Sequence, residues 1–341
     1  MKFLIIRFSS IGDIVLTTPV IRCLKKQVAG AELHYLTKEN FRAIIENNPY
    51  VDKAYYLKND LPDILEKLKE ENYDAVIDLH HNLRTLKVKR ALKKPSFSFN
   101  KLNIEKWLLT TFKWNRMPDI HIVDRYMETV NSFGVKNDEA GLDFFIPETD
   151  KVKESDIPTS HLAGYIGIVI GAALNTKKLP VHKLQELCRG IDHPVMLLGG
   201  KEDRINGDLI AAIDPHKIYN ACGKFNLNES ADLTRRAKLI VSHDTGLMHI
   251  ASAFRKQIIS VWGNTVPDFG MYPYYGKKFL DNYRNTDKND SGPFDIVEVE
   301  GLGCRPCSKI GYAKCPRGHF KCMEHIDIAL LISSVHKRLN K

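Results

Sequence analysis

The sequence predicts a two-domain α/β protein with a parallel, doubly wound sheet in each half. Three observations lead there. Strand-like apolar runs alternate with helix-like periodicity in two successive series. A charged, proline-bearing stretch at 144–158 (FFIPETDKVKESDIP) separates the two series. The 341 residues exceed what one hydrophobic core usually holds.

The first series opens with residues 2–8 (KFLIIRF), a β-branched run closed by a Ser-Ser-Ile-Gly turn, and apolar residues then recur at helical spacing from Ile14 to Leu24. The pattern repeats as strand 32–36 and helix 39–47, strand 53–57 and helix 61–71, and strand 75–79 with a helix from about Leu83. A helical stretch at 119–133 precedes the linker. The second series predicts strands at 165–170, 194–198, 217–219, 239–241 and 257–261, with helices at 181–189, 203–213, 229–237 and 246–254 between and around them. Strands alternating with helices imply parallel sheets. The predicted domains are 1–155 and 156–325, with a last helix at 326–341 returning to the first domain. Two such domains face each other across a cleft at the carboxyl ends of their strands, so function is expected on loops that follow strands.

Charge is localised. The net +9 comes from the window 84–116, which holds ten Lys/Arg against the single acidic Glu105, while the remainder balances at 40 basic and 40 acidic residues. Such an excess points to an anionic partner at one place. Arg7 and Asp13 interrupt the apolar N-terminus, which argues against a signal peptide. No run approaches the roughly 18 apolar residues of a membrane span, and a cytoplasmic location is expected. Cys23, Cys188 and Cys222 lie in apolar surroundings and are expected to be buried thiols.

Three turns carry candidate chemistry. Asp244-Thr245-Gly246 joins the apolar strand 239–241 to a helix, so free N–H groups and the positive end of the dipole point at whatever sits there. A phosphate suits that position: Gly246 permits close approach, Thr245 offers a hydroxyl, and His249 lies one turn along. The alternative is that Asp244 caps the helix and His249 is a surface residue. Ser9-Ser10-Ile11-Gly12-Asp13 occupies the equivalent place after the first strand, and Asp13 there is either a general base or an N-cap. Gly171 to Pro180 (GAALNTKKLP) follows the first strand of the second domain and sets Lys177 where a diphosphate needs neutralising. Neither G-x-G-x-x-G nor G-x-x-x-x-G-K-[ST] occurs, so nicotinamide-dinucleotide and P-loop readings lack their key residues. Asp-Thr-Gly also occurs in aspartic proteases, but there it lies in an all-β fold and needs a second copy.

In combination, IIRFSSIGDIV with Thr18-Pro19, TKKLP and SHDTGLMHIA resemble segments of the ADP-heptose:lipopolysaccharide heptosyltransferases, glycosyltransferases with two Rossmann-like domains in the GT-B arrangement. Gly263-Asn264-Thr265 and the cysteines at 304–322 look like segments of some members. The resemblance spans nearly the whole chain and implies roles position by position. Asp13 would deprotonate the acceptor hydroxyl, with Ser10 and Gly12 beside it. Lys177 would offset charge on the leaving diphosphate. Gly171, Asp244, Thr245, Gly246 and His249 would hold the donor, with Glu202 or Asp203 at its ribose. Arg84 and Lys87 would meet the acceptor. Members often carry Trp where this chain has Leu179. The implied reaction is an inverting transfer of heptose from ADP-heptose to a lipopolysaccharide inner-core acceptor, with no cofactor or catalytic metal. The rival readings keep the fold with another donor or acceptor, or make the chain a sugar-nucleotide epimerase.

The basic window interleaves Trp107, Leu108, Leu109, Phe112 and Trp114 with its lysines, as suits an element lying on the anionic cytoplasmic face of the inner membrane and receiving a lipid-linked anionic saccharide. Nucleic acid is not the expected partner; a solvated helix with inward aromatics is the plainer alternative. Cys304, Cys307, Cys315 and Cys322 are read either as a structural zinc site or as reduced thiols.

Overall fold

The computed structural model describes residues 1–58, 60–286 and 292–340, and resolves the alternation into two sheets. β1 (Lys2–Ile6), β2 (Glu32–Lys38), β3 (Lys53–Leu57), β4 (Ala75–Asp78) and β5 (Ser96–Ser98) form the first, in the order β3-β2-β1-β4-β5. β6 (Ile166–Val169), β7 (Val195–Leu198), β8 (Ile218–Asn220), β9 (Leu239–His243), β10 (Gln257–Trp262) and β11 (Phe294–Glu298) form the second, in the order β11-β10-β9-β6-β7-β8. The strand pairings among the described residues are all parallel. Apolar residues fill both faces of each sheet, which is why the strands read as near-continuous apolar runs. Phe3 and Ile5 enter one core with Val20 and Tyr126, whereas Leu4 and Ile6 enter the opposite one with Val76 and Val88.

β1 lies between β2 and β4, and β6 lies between β7 and β9. The winding reverses at those two places, so the loops leaving the strands part and open a crevice. Residues 7–13, 79–82, 170–180 and 244–246 stand at these crevices.

Four local expectations are revised. The helix expected over 14–24 is two helices, Ile11–Val15 and Thr18–Gln27. Pro19 has no N–H to return to the preceding turn, and the Thr17 and Thr18 hydroxyls donate to Ile14 O and Val15 O, each at 2.7 Å. The stretch 144–158 is fastened to the second domain rather than hanging free: Val152 and Ile157 are buried in its core, and Val152 N donates to Asp232 at 3.1 Å. β5 and β11 were not legible; one is three residues long and the other sets Asp295 and Glu298 into a five-residue edge strand. The last helix, Ile328–Leu339, does not return to the first domain. Its apolar face (Ile328, Leu331, Val335) completes the core of the second, and Gly190 leaves room for Ile332, where a Cβ would come within 2.3 Å of Ile332 Cδ1.

The segment that crosses to the first domain is instead 266–276. Gly270 O accepts from Ile122 N at 2.8 Å, and the His121 ring stacks on Tyr274 with centroids 4.7 Å apart. A second join lies at the crevices. A Cβ on Gly12 would meet His249 Cδ2 at 2.5 Å, and one on Gly246 would meet Ile11 Cβ at 2.7 Å. Helices Ile11–Val15 and Gly246–Ala253 thus pack glycine to glycine, uniting the loop that holds Asp13 with the turn that holds Asp244.

Candidate active site

On the first-domain side, Ser10 precedes helix Ile11–Val15, and Asp13 is its third residue. The Asp13 carboxylate accepts from Ser10 Oγ at 2.7 Å and Ser10 N at 3.1 Å. Its other oxygen pairs with the Arg7 guanidinium, which also donates to Ser9 O and Leu79 O. Burial alone acts to raise the Asp13 pKa, but the Arg7 charge and the Ser10 hydrogen bonds outweigh it and hold the carboxyl below its ordinary range. Asp13 is therefore not the N-cap, which is Ser10, but its capping-box partner at the third helical position, and it is an ionised, partly exposed carboxylate.

On the second-domain side, Asp244 does not cap. Thr245 is the N-cap of helix Gly246–Ala253, and its side chain makes no capping bond. Asp244 pairs with Lys177 Nζ at 2.6 Å and accepts from Thr265 Oγ1 at 3.0 Å. The helix N-terminus, a lysine and a hydroxyl thus share one small volume. Both side-chain polar atoms of Asn264, beside Thr265, are buried without a partner. Three loops that were read separately, after β6, β9 and β10, converge here.

Not every predicted donor residue is open. Asp203 is 2% exposed; one oxygen pairs with Lys178 at 2.7 Å and the other accepts from Gly200 N at 3.0 Å. Glu202, by contrast, is exposed. Gly171 makes room for Asp203, whose Oδ2 a Cβ there would approach to 2.3 Å. His249 is neither on the surface nor open to the crevice. It packs under Gly12, and burial, against the attraction of Asp244 and Asp13, pushes its pKa down to about 4, so the ring is neutral.

The stretch 63–287, which contains the Lys177 and Asp244 loops, matches the family model described as Glycosyltransferase family 9 (heptosyltransferase). The chain belongs to that family. It is 27% identical over 328 residues to lipopolysaccharide heptosyltransferase 1 of Campylobacter coli, covering 88% of this chain and 96% of that protein. It is 25% identical to lipooligosaccharide heptosyltransferase 2 of Haemophilus influenzae, covering 79% and 85%. The E. coli ADP-heptose lipopolysaccharide heptosyltransferase II structure superposes with a TM-score of 0.73 over 99% of this chain and 98% of that one, at 18% identity. The fold is GT-B, as the resemblance implied, and the chain is a glycosyltransferase rather than an epimerase.

In this family 9 glycosyltransferase the basic window divides. Arg84 and Lys87 are exposed on helix Leu83–Leu92, with Arg84 lying over the Phe8 ring, 5.3 Å from its centroid. Lys101 instead donates to His81 O at 3.2 Å and Lys106 lies 6.0 Å from the Phe269 ring centroid, and the charges of both interact with Asp13. The sequence reading missed these two, and also His80. Burial, then Arg7 and Lys101, push the His80 pKa down to about 4, and its Nδ1 is buried without a partner. The available signal was position: His80 follows β4, the strand beside β1.

Cys23, Cys188 and Cys222 are fully buried free thiols, as expected. The cysteine-rich segment is a bracket between the loops. Tyr312 N donates to Thr176 Oγ1 at 2.7 Å, Cys307 N donates to Asn264 O at 3.1 Å, and Lys113 donates to Pro306 O at 2.7 Å. Cys304 lies 3.8 Å from His319 Nε2, while Cys322 is buried and its thiol is pushed up to about 12. Among the described residues the four cysteines do not bring three ligand atoms within 4.8 Å of one another. Their charges nevertheless interact, Cys304 and Cys315 with both Cys307 and Cys322.

Proposed function

We propose that this glycosyltransferase moves heptose, with inversion, from ADP-heptose to a hydroxyl of an anionic, lipid-linked inner-core saccharide at the cytoplasmic face of the inner membrane. The observation that carries the reading is the apposition of the Asp13 loop and the Lys177–Asp244 pair across the Gly12–Gly246 contact. The names of the relatives, lipopolysaccharide and lipooligosaccharide heptosyltransferases, supply the donor sugar and the acceptor class.

As the bond from the anomeric carbon to the diphosphate lengthens, positive charge grows on the sugar and negative charge on the leaving group. The Lys177 ammonium and the free N–H groups of helix Gly246–Ala253 stabilise that negative charge. Asp244 holds Lys177 until the diphosphate competes for it. The acceptor hydroxyl attacks from the opposite face and becomes acidic only as it bonds to the electron-poor carbon, so a weakly basic Asp13 suffices to take its proton. No step in this scheme calls on a metal. The four cysteines are read as reduced thiols, and stoichiometric zinc in the purified protein would replace that reading.

The test is a screen of nucleotide sugars with purified protein and core lipid. ADP-heptose should be the preferred donor, and Asp13→Asn should lower turnover by roughly 10²–10⁴-fold while ADP still binds. Undiminished transfer by that variant would remove Asp13 as the base.

A further inference from the structure

Three lysines from both domains lie within electrostatic reach of one another, and two of them, Lys101 and Lys106, also of Asp13. Lys101 and Lys106 come from the first domain, and Lys106 lies on helix Asn103–Phe112. The third, Lys309, comes from the cysteine-rich segment of the second. It stands at the corner of a turn in which Ser308 Oγ accepts from Ile310 N at 3.1 Å and Gly311 N at 2.6 Å. The turn is held on one side by the Tyr312–Thr176 bonds and on the other by Lys113 reaching Pro306 O. Among the described residues no carboxylate pairs with Lys101, Lys106 or Lys309, and the nearby Asp13 is already engaged by Arg7. Beneath them Arg125, 2% exposed, donates to Phe269 O at 2.9 Å and leaves Nε and Nη1 without an acceptor. Asp13 and Asp78 act on these charges, as do Glu105 and Glu128 on Arg125, but burial of Lys101, Lys106 and Arg125 outweighs them, and an arriving anion would relieve that cost.

We infer that Lys309 closes a two-domain clamp with Lys101 and Lys106 on an acidic group of the acceptor, phosphate or carboxylate, so that the acceptor bridges the domains. The inference rests on the proposed transfer to an anionic saccharide. It adds that the cysteine-rich segment, on the donor-binding half, takes part in acceptor recognition. The charges already sense one another: Lys309 adds to the burial that lowers the pKa of both Lys101 and Lys106.

The test compares wild type, Lys309→Gln and Lys309→Arg in the full chain with ADP-heptose and core lipid. The Gln variant should raise the acceptor KM about tenfold, equivalent to about 1.4 kcal/mol, with a donor KM within about twofold of wild type; the Arg variant should restore it. Dephosphorylated and carboxyl-reduced core lipid identify the group: the modification that abolishes the difference between wild type and Lys309→Gln marks the clamped anion. An unchanged acceptor KM in Lys309→Gln, with wild type turning over normally, overturns the clamp and leaves the transferase reading standing. If wild type transfers nothing, that reading fails instead. The clamp is then judged by binding of core lipid to immobilised protein without donor, where equal retention of wild type and variant overturns it.

Discussion

Arg7 and Asp13, six residues apart, face each other across the turn that leaves β1, and the guanidinium that holds Asp13 also ties down Ser9 O and Leu79 O. Asp13 would otherwise be pushed up by burial; with Arg7 present its pKa lies below the ordinary carboxylate range. A depressed acid is deprotonated above that pKa, so the acid limb of transfer should lie below the ordinary carboxylate pKa of about 3.9. Arg7→Leu should move the acid limb of the kcat profile to higher pH, and Arg7→Lys should move it less. An unmoved limb would mean that Asp13 is not the group that titrates.

Lys177 and Asp244 should behave as a unit. Lys177→Ala is expected to lower kcat/KM by about 10²–10³-fold. Asp244→Asn should cost far less in that background than alone, because its partner is gone. A double-mutant cycle should give a coupling on the order of 1 kcal/mol or more; strict additivity would mean that Asp244 plays no part in positioning Lys177.

Gly12→Ala tests the join between the domains. The added methyl would meet His249 at 2.5 Å, an overpacking worth about 1–3 kcal/mol. Thermal melts should show a lower Tm, and Gly12→Ala/His249→Ala should recover part of it. A single variant as stable as wild type would place the two helices further apart in solution.

Helix Asn103–Phe112 and the residues after it expose Ile104, Trp107, Phe112 and Trp114. Trp107 and Phe112 rings lie 5.1 Å apart, and Phe112 and Trp114 5.5 Å, forming one apolar ridge with Lys113 and Arg116 beside it. Vesicles containing phosphatidylglycerol should retain the wild-type protein, less so at high salt, and Trp107→Ala/Trp114→Ala should retain less. Equal binding to neutral vesicles would remove the electrostatic part of this expectation.

Lys106 offers a separate titration. Burial and then Arg125, opposed by Asp13 and reinforced by Lys309 and Lys101, push its ammonium down to about 8 in the free protein. Below that pH it is charged and above it neutral, so acceptor affinity should weaken as pH rises from 7 to 9. In Lys106→Gln the same interval should show a flatter profile.

The two-domain parallel plan was readable because strands buried on both faces leave apolar runs such as 195–198 (VMLL), and because Gly246 and Pro180 mark helix starts. Asp13, Lys177 and Asp244 were readable as residues after strands. Their partners were not: Arg7 lies within an apolar run and looked like a mere interruption, and Thr265 reaches Asp244 only through the pairing of β9 with β10. Asp203 failed for a related reason. Proximity to a ribose site is a matter of loops, whereas its engagement by Lys178 depends on how β6 and β7 sit side by side. The last helix was misassigned because an amphipathic pattern states that a face is covered without stating by what.

The contact between Gly12 and Gly246 leaves the two loops no slack to vary independently. Exchanging specificity between relatives by grafting only residues 7–13, or only 244–249, would set a foreign surface against a resident one. The workable unit of exchange is the pair, so a library that randomises both loops together should yield folded chimeras that either loop alone does not.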